Sequence, residues 1–585
     1  MFGRYSREAI AEYLKRAAWI FFVIIIGYLL IASIFSTCYL GAYSYGTASG
    51  ATEVNVEHTF YIRDHFLWHM IVFAGFSLFL VFGRTEKAKQ VVSGRYFGAA
   101  VCLAAGILSV LLVLAGQYYP KYDQRNVIEA AARLNQHIYS DFEEGGYLFV
   151  FPFQTGVVLY FRILCFLFGN ENQVAFQIVN CLWIALAYYF FVRIAELLWG
   201  ERASCRSWTA VACILFFPYL LYASFLYGTV AGMAFALFSF YMLLFYEKTP
   251  KVWYLLGSAL SMGIAMVIKS NYMIFMIAAL IYLFLKLLQE KEAGFRRALP
   301  RLLLAGMFLG VFLLGRLGVD AYITKAAGEE IEGIPMTAWI AMGLQDGKAA
   351  PGWYNGYNNR VYVENDYDYG ETSAAVTEEI KRIVRGWTKD PAASISFFVK
   401  KVSSQWNNPT FQSLWILEER PGRGGLDWLL SGAGRYGYIF FVNLLQTWIL
   451  AGVFAYAVLR FKKSSMEEII LPVTFLGGFL FHLFWEAEGL YAILYFPLLL
   501  PLAVRGYGEW RAYLLAKKER IAADGWNSGE GKRFKRNLIR CALAVVFVCA
   551  VSYTDPFAKL FARNENTGAF DIYTQEVVNE MEALP

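Results

Sequence analysis

The sequence predicts an all-α polytopic membrane protein, and three observations carry that prediction. Apolar runs recur along the whole chain, and a helix needs roughly 20 apolar residues to cross the hydrocarbon. Of the 585 residues, 58% are hydrophobic and only 17% charged. Those charges are too few to cover the several soluble domains that so long a chain would otherwise form. Lys and Arg cluster in short connections and just beyond apolar runs, the placement that orients membrane helices. The net charge of +6 therefore signals topology and no nucleic-acid partner.

Thirteen spans are predicted, at 17–39, 65–82, 96–114, 175–198, 210–226, 228–246, 253–268, 272–287, 302–318, 438–459, 469–485, 491–504 and 538–552. The first is longer than a signal-peptide core and lacks a clear cleavage site, so it reads as a retained span. The eight cysteines (Cys38, Cys102, Cys165, Cys181, Cys205, Cys213, Cys541, Cys549) lie in or beside apolar segments. Neither a disulfide framework nor a zinc site is expected from that distribution.

Alternation of the spans puts every basic short loop on one side. These loops hold Arg4, Arg7, Lys15 and Arg16; Arg84, Lys87, Lys89 and Arg95; Arg202 and Arg206; Lys248 and Lys251; Lys291, Arg296 and Arg297; Lys462 and Lys463; and the 517–540 stretch. That side is expected to be the cytoplasm, with the N-terminus there. The agreement requires the apolar segment 156–167, which contains Arg162, to lie in the membrane surface. An intramembrane Arg costs about 2.5–3.5 kcal/mol on insertion scales, whereas an interfacial helix carries it easily. The opposite, extracytoplasmic side then holds loops 117–154 and 319–437 and the short turn Glu486–Gly489. Most polar chemistry falls there.

Four groups of residues on that side have chemical potential. In the first loop Asp123 precedes an Ala-rich helix; it either holds a carboxylate near a lipid-borne substrate or caps the helix that follows. Lys269 interrupts two short apolar runs and either meets an anion or marks helix ends by snorkelling; Arg162 carries the same pair of readings. Glu486 and Glu488 form an acidic pair in a tight turn. The segment 352–370 holds five Tyr and four Asn, residue types that stack on sugar rings and read their hydroxyls, although aromatics also gather at membrane interfaces. Two metal-like patterns lack their setting. Asp366-Tyr367-Asp368 has no α/β nucleotide-sugar domain around it, and His65 with His69 has no third ligand.

The order of several motifs resembles a known family. Tyr119-Pro120-Lys121-Tyr122-Asp123-Gln124, then Tyr147-Leu148, then Pro152-Phe153-Gln154-Thr155-Gly156 looks like the first extracytoplasmic loop of C-type integral-membrane glycosyltransferases, such as protein O-mannosyltransferases and lipid A aminoarabinose transferases. The likeness continues through Ile268-Lys269-Ser270-Asn271, Trp339 to Gly343, Gly352-Trp353-Tyr354-Asn355 and Trp485-Glu486-Ala487-Glu488-Gly489-Leu490-Tyr491. One departure is Leu490, where the family often has Arg. The resemblance implies inverting transfer of a sugar from a polyprenyl-phosphate donor. It implies Asp123, with Glu486 and Glu488, as catalytic carboxylates, and Lys269 and Arg162 as phosphate ligands. Sugar or acceptor contacts would fall to Gln124, Gln154, Trp353, Tyr354, Asn355 and Tyr491.

The expected organisation is an additional transmembrane pair (1–95), a core bundle (96–318) with a catalytic first loop (115–174), a loop domain (319–437), C-terminal helices (438–553) with a basic cytoplasmic loop (505–537), and an external tail (554–585). No cofactor or metal is required, although the acidic residues leave a divalent cation open. The expected partners are the lipid-linked sugar, membrane lipid and an acceptor that is a polymer, a lipid or a protein. A multi-pass protein of a bacterial plasma membrane fits these features. The competing readings are a transporter or lipid flippase, and a ligase that joins lipid-linked glycopolymers.

Overall fold

The computed structural model describes residues 7–46, 53–63, 66–82, 94, 96–200, 203–289, 295–347, 349–418, 422–525 and 528–552. The tail from Thr554, His65 and the basic residues Arg4, Arg84, Lys87, Lys89, Arg95, Arg202 and Lys291 lie outside the described residues.

The architecture is a helical bundle. The helices are α1 (Arg7–Phe35), α2 (Phe66–Phe82), α3 (Phe97–Gly116), α4 (Asp123–Asn135), α5 (Thr155–Phe168), α6 (Gln173–Trp199), α7 (Ala203–Leu215), α8 (Thr229–Lys248), α9 (Val252–Ile268), α10 (Met273–Gln289) and α11 (Phe295–Ala327). A helical loop region follows with α12 (Thr337–Gly343), α13 (Tyr357–Glu364), α14 (Tyr369–Lys389) and α15 (Pro391–Trp406). The chain then returns to the bundle as α16 (Gly432–Arg460), α17 (Ile470–Phe484), α18 (Leu499–Asp524) and α19 (Gly529–Ser552).

Each of the thirteen predicted spans falls mainly on helical residues, but not all are long and apolar enough to cross. Nine helices among the described residues meet that requirement, or ten when the pair on either side of Phe216, bent by 60°, counts as one. Pro218 enters the second half of that pair, where a missing N–H is tolerated at a helix start. Three predicted spans fall short. Helices α2 and α9 have 17 residues each, about 25 Å of rise against a hydrocarbon core of roughly 30 Å. Helix α19 opens on Lys532, Arg533, Lys535, Arg536 and Arg540, so only its second half is apolar.

One element was not anticipated. The first predicted span runs to residue 39, but α1 ends at Phe35, and an antiparallel hairpin of β1 (Ser36–Gly46) and β2 (Glu53–Arg63) follows, with Ser36 opposite Arg63. Backbone bonds tie it to the loop region, from Cys38 N to Asn407 O (3.1 Å) and from Thr59 N to Ala349 O (3.2 Å). Nor does α1 stand apart from the core. Trp19 Nε1 donates to Ala457 O of α16 at 2.7 Å, and Thr447 Oγ1 donates to Ser33 O at 3.1 Å.

Close packing is set by small residues, as expected where lipid supplies little drive for helix association. At the crossing of α16 and α18, a Cβ on Gly506 would lie 1.8 Å from Gly452 O. Several basic groups of the short connections meet partners at one end of the bundle. Glu468 there accepts from Trp199 Nε1 (3.0 Å) and Tyr456 OH (2.8 Å) and pairs with Arg460. Lys286 meets Glu467 at 2.7 Å, and Lys15 donates to Ser464 O at 3.0 Å. The opposite end, called the site face below, carries the hairpin, α4 and the loop region.

Candidate active site

The site face gathers four chain breaks. The first is the start of α4. Tyr122, its N-cap, has φ +53, a strained conformation for a residue with a Cβ, of order 1–3 kcal/mol. Asp123 opens the helix, where the positive end of the helix dipole favours an anion. Its side chain does not cap the helix. Asp123 Oδ2 instead accepts from Tyr227 OH at 3.1 Å. Among the described residues no hydrogen bond reaches its other oxygen.

The second break is the turn before α8, which carries Tyr227. Gln124, the neighbour of Asp123, holds this turn by accepting from Leu226 N at 2.8 Å. Gln154 Nε2 donates to the Tyr227 hydroxyl, which leaves that hydroxyl's own proton for Asp123. The polarity of the chain from Gln154 through Tyr227 to Asp123 is therefore fixed.

The third break separates α9 from α10. Lys269 ends α9 in an extended conformation, and a 3-10 turn (Ser270–Tyr272) follows. Tyr272 anchors the turn through its hydroxyl bond to Thr229 O (2.5 Å) and by packing on Gly232, where a Cβ would come within 2.1 Å of its ring. This directs Lys269 Nζ over the face of Tyr227, 4.2 Å from the ring centroid. A cation in that position gains about 0.5–2 kcal/mol. Among the described residues Lys269 makes no hydrogen bond or ion pair.

The fourth break is the turn between α17 and α18. Glu486 is buried and accepts from Tyr491 OH at 2.9 Å. Trp485, just before it, stacks parallel on Trp339 of α12 at 6.0 Å, and Phe153 packs edge-on against Trp339 at 5.3 Å. Tyr354, half exposed, lies near Glu486, Asp123 and Glu488 together.

The electrostatics follow from this enclosure. Asp123 is reachable from water but walled by protein on most sides. Burial therefore pushes its carboxyl above the usual 3.8, against the opposing effects of the Tyr227 hydrogen bond and the Lys269 charge. Burial brings Lys269 down from 10.5 to about 7, although Asp123 and Glu488 both favour its charged form.

Below this cluster runs an apolar groove of about 680 Å³ between α5, α6, α8, α9 and α11. It ends at Gly156 and Ile268, the residues next to Thr155 and Lys269. Its outer rim includes Ile163, Leu260 and Leu314, all more than half exposed. Three of its lining residues are glycines (Gly156, Gly263, Gly315), at each of which a Cβ would press on Val267 or Val311 of a facing helix.

The structure thus assembles Asp123, Gln154, Lys269, Tyr354, Glu486, Glu488 and Tyr491 around Tyr227. Four other candidates are engaged elsewhere. Arg162 Nη1 donates to Tyr322 OH of α11 at 2.9 Å, a tie between helices. Gln124 is buried in the bond to Leu226. Trp353 is buried with its indole N–H on Ser404 Oγ at 2.8 Å. Asn355 bonds to Gln345 Oε1 (3.0 Å) and accepts from Tyr357 N (2.9 Å), shaping its own loop. Asp368 caps α14 by accepting from Glu371 N at 2.7 Å, a structural use for half of the Asp-x-Asp pattern. The described residues hold no group of three or more His, Cys, Asp or Glu placed to bind a metal ion.

Sequence reasoning missed Tyr227. Its signal was weak, a Tyr-Gly pair at the junction of two apolar runs on the face already holding Asp123.

Taken together, the bundle, the short apolar helix α5 and the polar cluster above an apolar groove define a polytopic helical membrane protein with an apolar cleft open on its side. The family model described as dolichyl-phosphate-mannose-protein mannosyltransferase matches residues 156–314, from α5 into α11. That match supports a membrane glycosyltransferase of the C type, and it includes Tyr227 and Lys269 but not Asp123 or Glu486. No curated protein matches the chain.

Proposed function

We propose that the protein moves a sugar from a polyprenyl-phosphate donor to an acceptor hydroxyl, with inversion, at the extracytoplasmic face of a bacterial plasma membrane. The observation that carries this reading is the pairing of Asp123 and Lys269 across Tyr227 at the head of an apolar groove. A lipid-linked sugar phosphate has the same three parts in the same order. Its isoprenoid tail suits the groove, its phosphate suits the unpartnered ammonium of Lys269, and its sugar then lies toward Asp123.

In the transfer the acceptor oxygen attacks the anomeric carbon as the bond from that carbon to the phosphate oxygen breaks. The acceptor proton passes to the open oxygen of Asp123, and Lys269 stabilises the negative charge that grows on the departing lipid phosphate. Tyr227 holds the carboxylate by its hydrogen bond and the ammonium by its ring. Glu486, Glu488, Tyr354 and Tyr491 line the side from which sugar or acceptor hydroxyls are read.

The direct test is purified protein in lipid nanodiscs, incubated with a panel of radiolabelled polyprenyl-phosphate sugars and membrane extract. Transfer of label to an extract component, lost with Asp123→Asn, is the expected result. No transfer from any lipid-linked sugar would remove the reading. Sidedness is tested by Asp123→Cys, which an impermeant maleimide should label from outside intact cells.

Two further outcomes follow. Tyr227→Phe removes a hydrogen bond to a charged group and should slow transfer roughly ten- to a hundredfold. The same change raises the Asp123 pKa further, so the acid limb of the pH–rate profile should move to higher pH. Ile264→Trp narrows the groove. It should raise KM for a long-chain donor while leaving KM for a short-chain analogue unchanged, and an equal rise for both would separate the groove from the tail.

A further inference from the structure

A buried ammonium stands behind the acidic turn. Lys401, in α15, is 0% exposed. Its Nζ donates to Gly343 O at 2.5 Å and to Trp485 O at 2.7 Å. Both carbonyls end helices, for Gly343 closes α12 and Trp485 is the C-cap of α17. Carbonyls at a helix C-terminus lack intrahelical donors, and the dipole there favours a cation. Lys401 serves two such ends at once.

The turn is held from its other side by the stem of the same lysine. Ala487 N donates to Gly352 O at 2.8 Å. Gly352 has φ +77, and a Cβ there would lie 2.7 Å from both Cδ and Cε of Lys401. The head of Lys401 thus fixes Trp485 and its stem packs under Gly352, while the peptide between Glu486 and Glu488 hangs on both. Burial brings the ammonium down to about 7, and the Glu486 charge opposes that fall. His482 on α17 is the other titratable group facing it.

We propose that Lys401 is a positioning residue, which by closing α12 and α17 together aims the Glu486–Glu488 turn at Asp123 and Lys269 without touching substrate. A cation kept for stability alone is replaceable by an apolar residue of similar volume together with its partner. A directional cap on two helix ends is not replaceable in that way. The inference rests on the transferase reading for its consequence in catalysis, but not for its structural core.

The test uses the full chain in nanodiscs as wild type, Lys401→Met, Glu486→Gln and the double variant. Backbone hydrogen exchange over 485–491 should rise at least about tenfold in Lys401→Met, while α4 and α9 exchange as in wild type. In the transfer assay Lys401→Met should lower kcat with donor KM unchanged within about twofold, and the double variant should be no slower than Glu486→Gln alone. Unchanged exchange over 485–491, or losses that multiply in the double variant, would overturn the proposal. Should Lys401→Met fail to fold, Lys401→Gln, which keeps an N–H donor for the Gly343 and Trp485 carbonyls, should fold with a smaller rise in exchange over 485–491, and its failure to fold would also overturn the proposal. A wild type that transfers no sugar leaves the exchange measurement to decide on Lys401, so the two readings fail separately.

Discussion

Asp123→Asn is expected to reduce sugar transfer by about 10²–10⁴-fold, the range a positioned proton acceptor contributes, while leaving insertion, expression and thermal stability at wild-type levels. The geometry separates the two effects. Asn keeps the shape and can still accept from Tyr227, whose hydroxyl bonds a single oxygen of the carboxylate. The side chain caps no helix, so α4 loses no support. Burial disfavours the ionised form, since the carboxyl is pushed above its usual value, and a neutral amide carries no such cost. What disappears is the basicity of the open oxygen. Turnover within about tenfold of wild type would take Asp123 out of proton transfer. In the wild type a raised Asp123 pKa places loss of activity, as pH falls, above the range of an ordinary carboxylate.

The parts of this structure that could be read in advance are those that follow from local rules. Apolar length located the helices, because lipid forces every backbone group to be satisfied within its own segment. The ends of α3, α6, α8 and α10 lie within a few residues of the predicted spans for the same reason. Length alone cannot tell a crossing helix from one that stops short, and α2, α9 and α19 show where that ambiguity lies. The hairpin was hidden because its first strand continues directly from the apolar run of α1 and its second, Val54 to Ile62, mixes polar residues such as Asn55, Glu57 and His58 with apolar ones.

The site divides the same way. Residues that stand where a chain break must occur, such as Asp123, Lys269 and Glu486, were visible as polar groups at the ends of apolar runs. Tyr227 and Lys401 were not, since their roles depend on contacts far away in sequence. Lys401 reaches residues 58 and 84 positions distant, and no pattern around it in the chain encodes those partners. Arg162 and Trp353 show the converse. Their residue types suited a phosphate and a sugar, and the structure gives Arg162 a tie to Tyr322 and the Trp353 indole N–H a tie to Ser404 that no local pattern foretold. Residue type proposes chemistry, but only tertiary partners decide whether a side chain is available for it.

Lys269→Ala should lower kcat/KM for the lipid-linked donor by about 10²–10³-fold, the loss typical of removing one preorganised stabiliser of developing negative charge. The larger part should fall on kcat, because charge on the departing phosphate grows toward the transition state. Lys269→Arg keeps a cation able to stack on the Tyr227 ring and should recover part of that loss. The pH dependence has a definite sign. Burial lowers the Lys269 pKa from 10.5 to about 7, so the free enzyme carries the ammonium below about 7 and loses it as pH rises through that value. Donor capture should therefore decline above pH 7 with unit slope in wild type and be flat over that range in Lys269→Ala. Bound phosphate, as a nearby anion, restores the charge and moves the limb in kcat to higher pH than the limb in kcat/KM. Stability without donor should run the other way. Between about 7 and 10.5 the unfolded chain holds a proton at this lysine that the folded chain does not, and folding is favoured as pH rises through that window. Activity and thermal stability that fall together above pH 7 would mean that unfolding, not loss of the Lys269 charge, sets the alkaline limb.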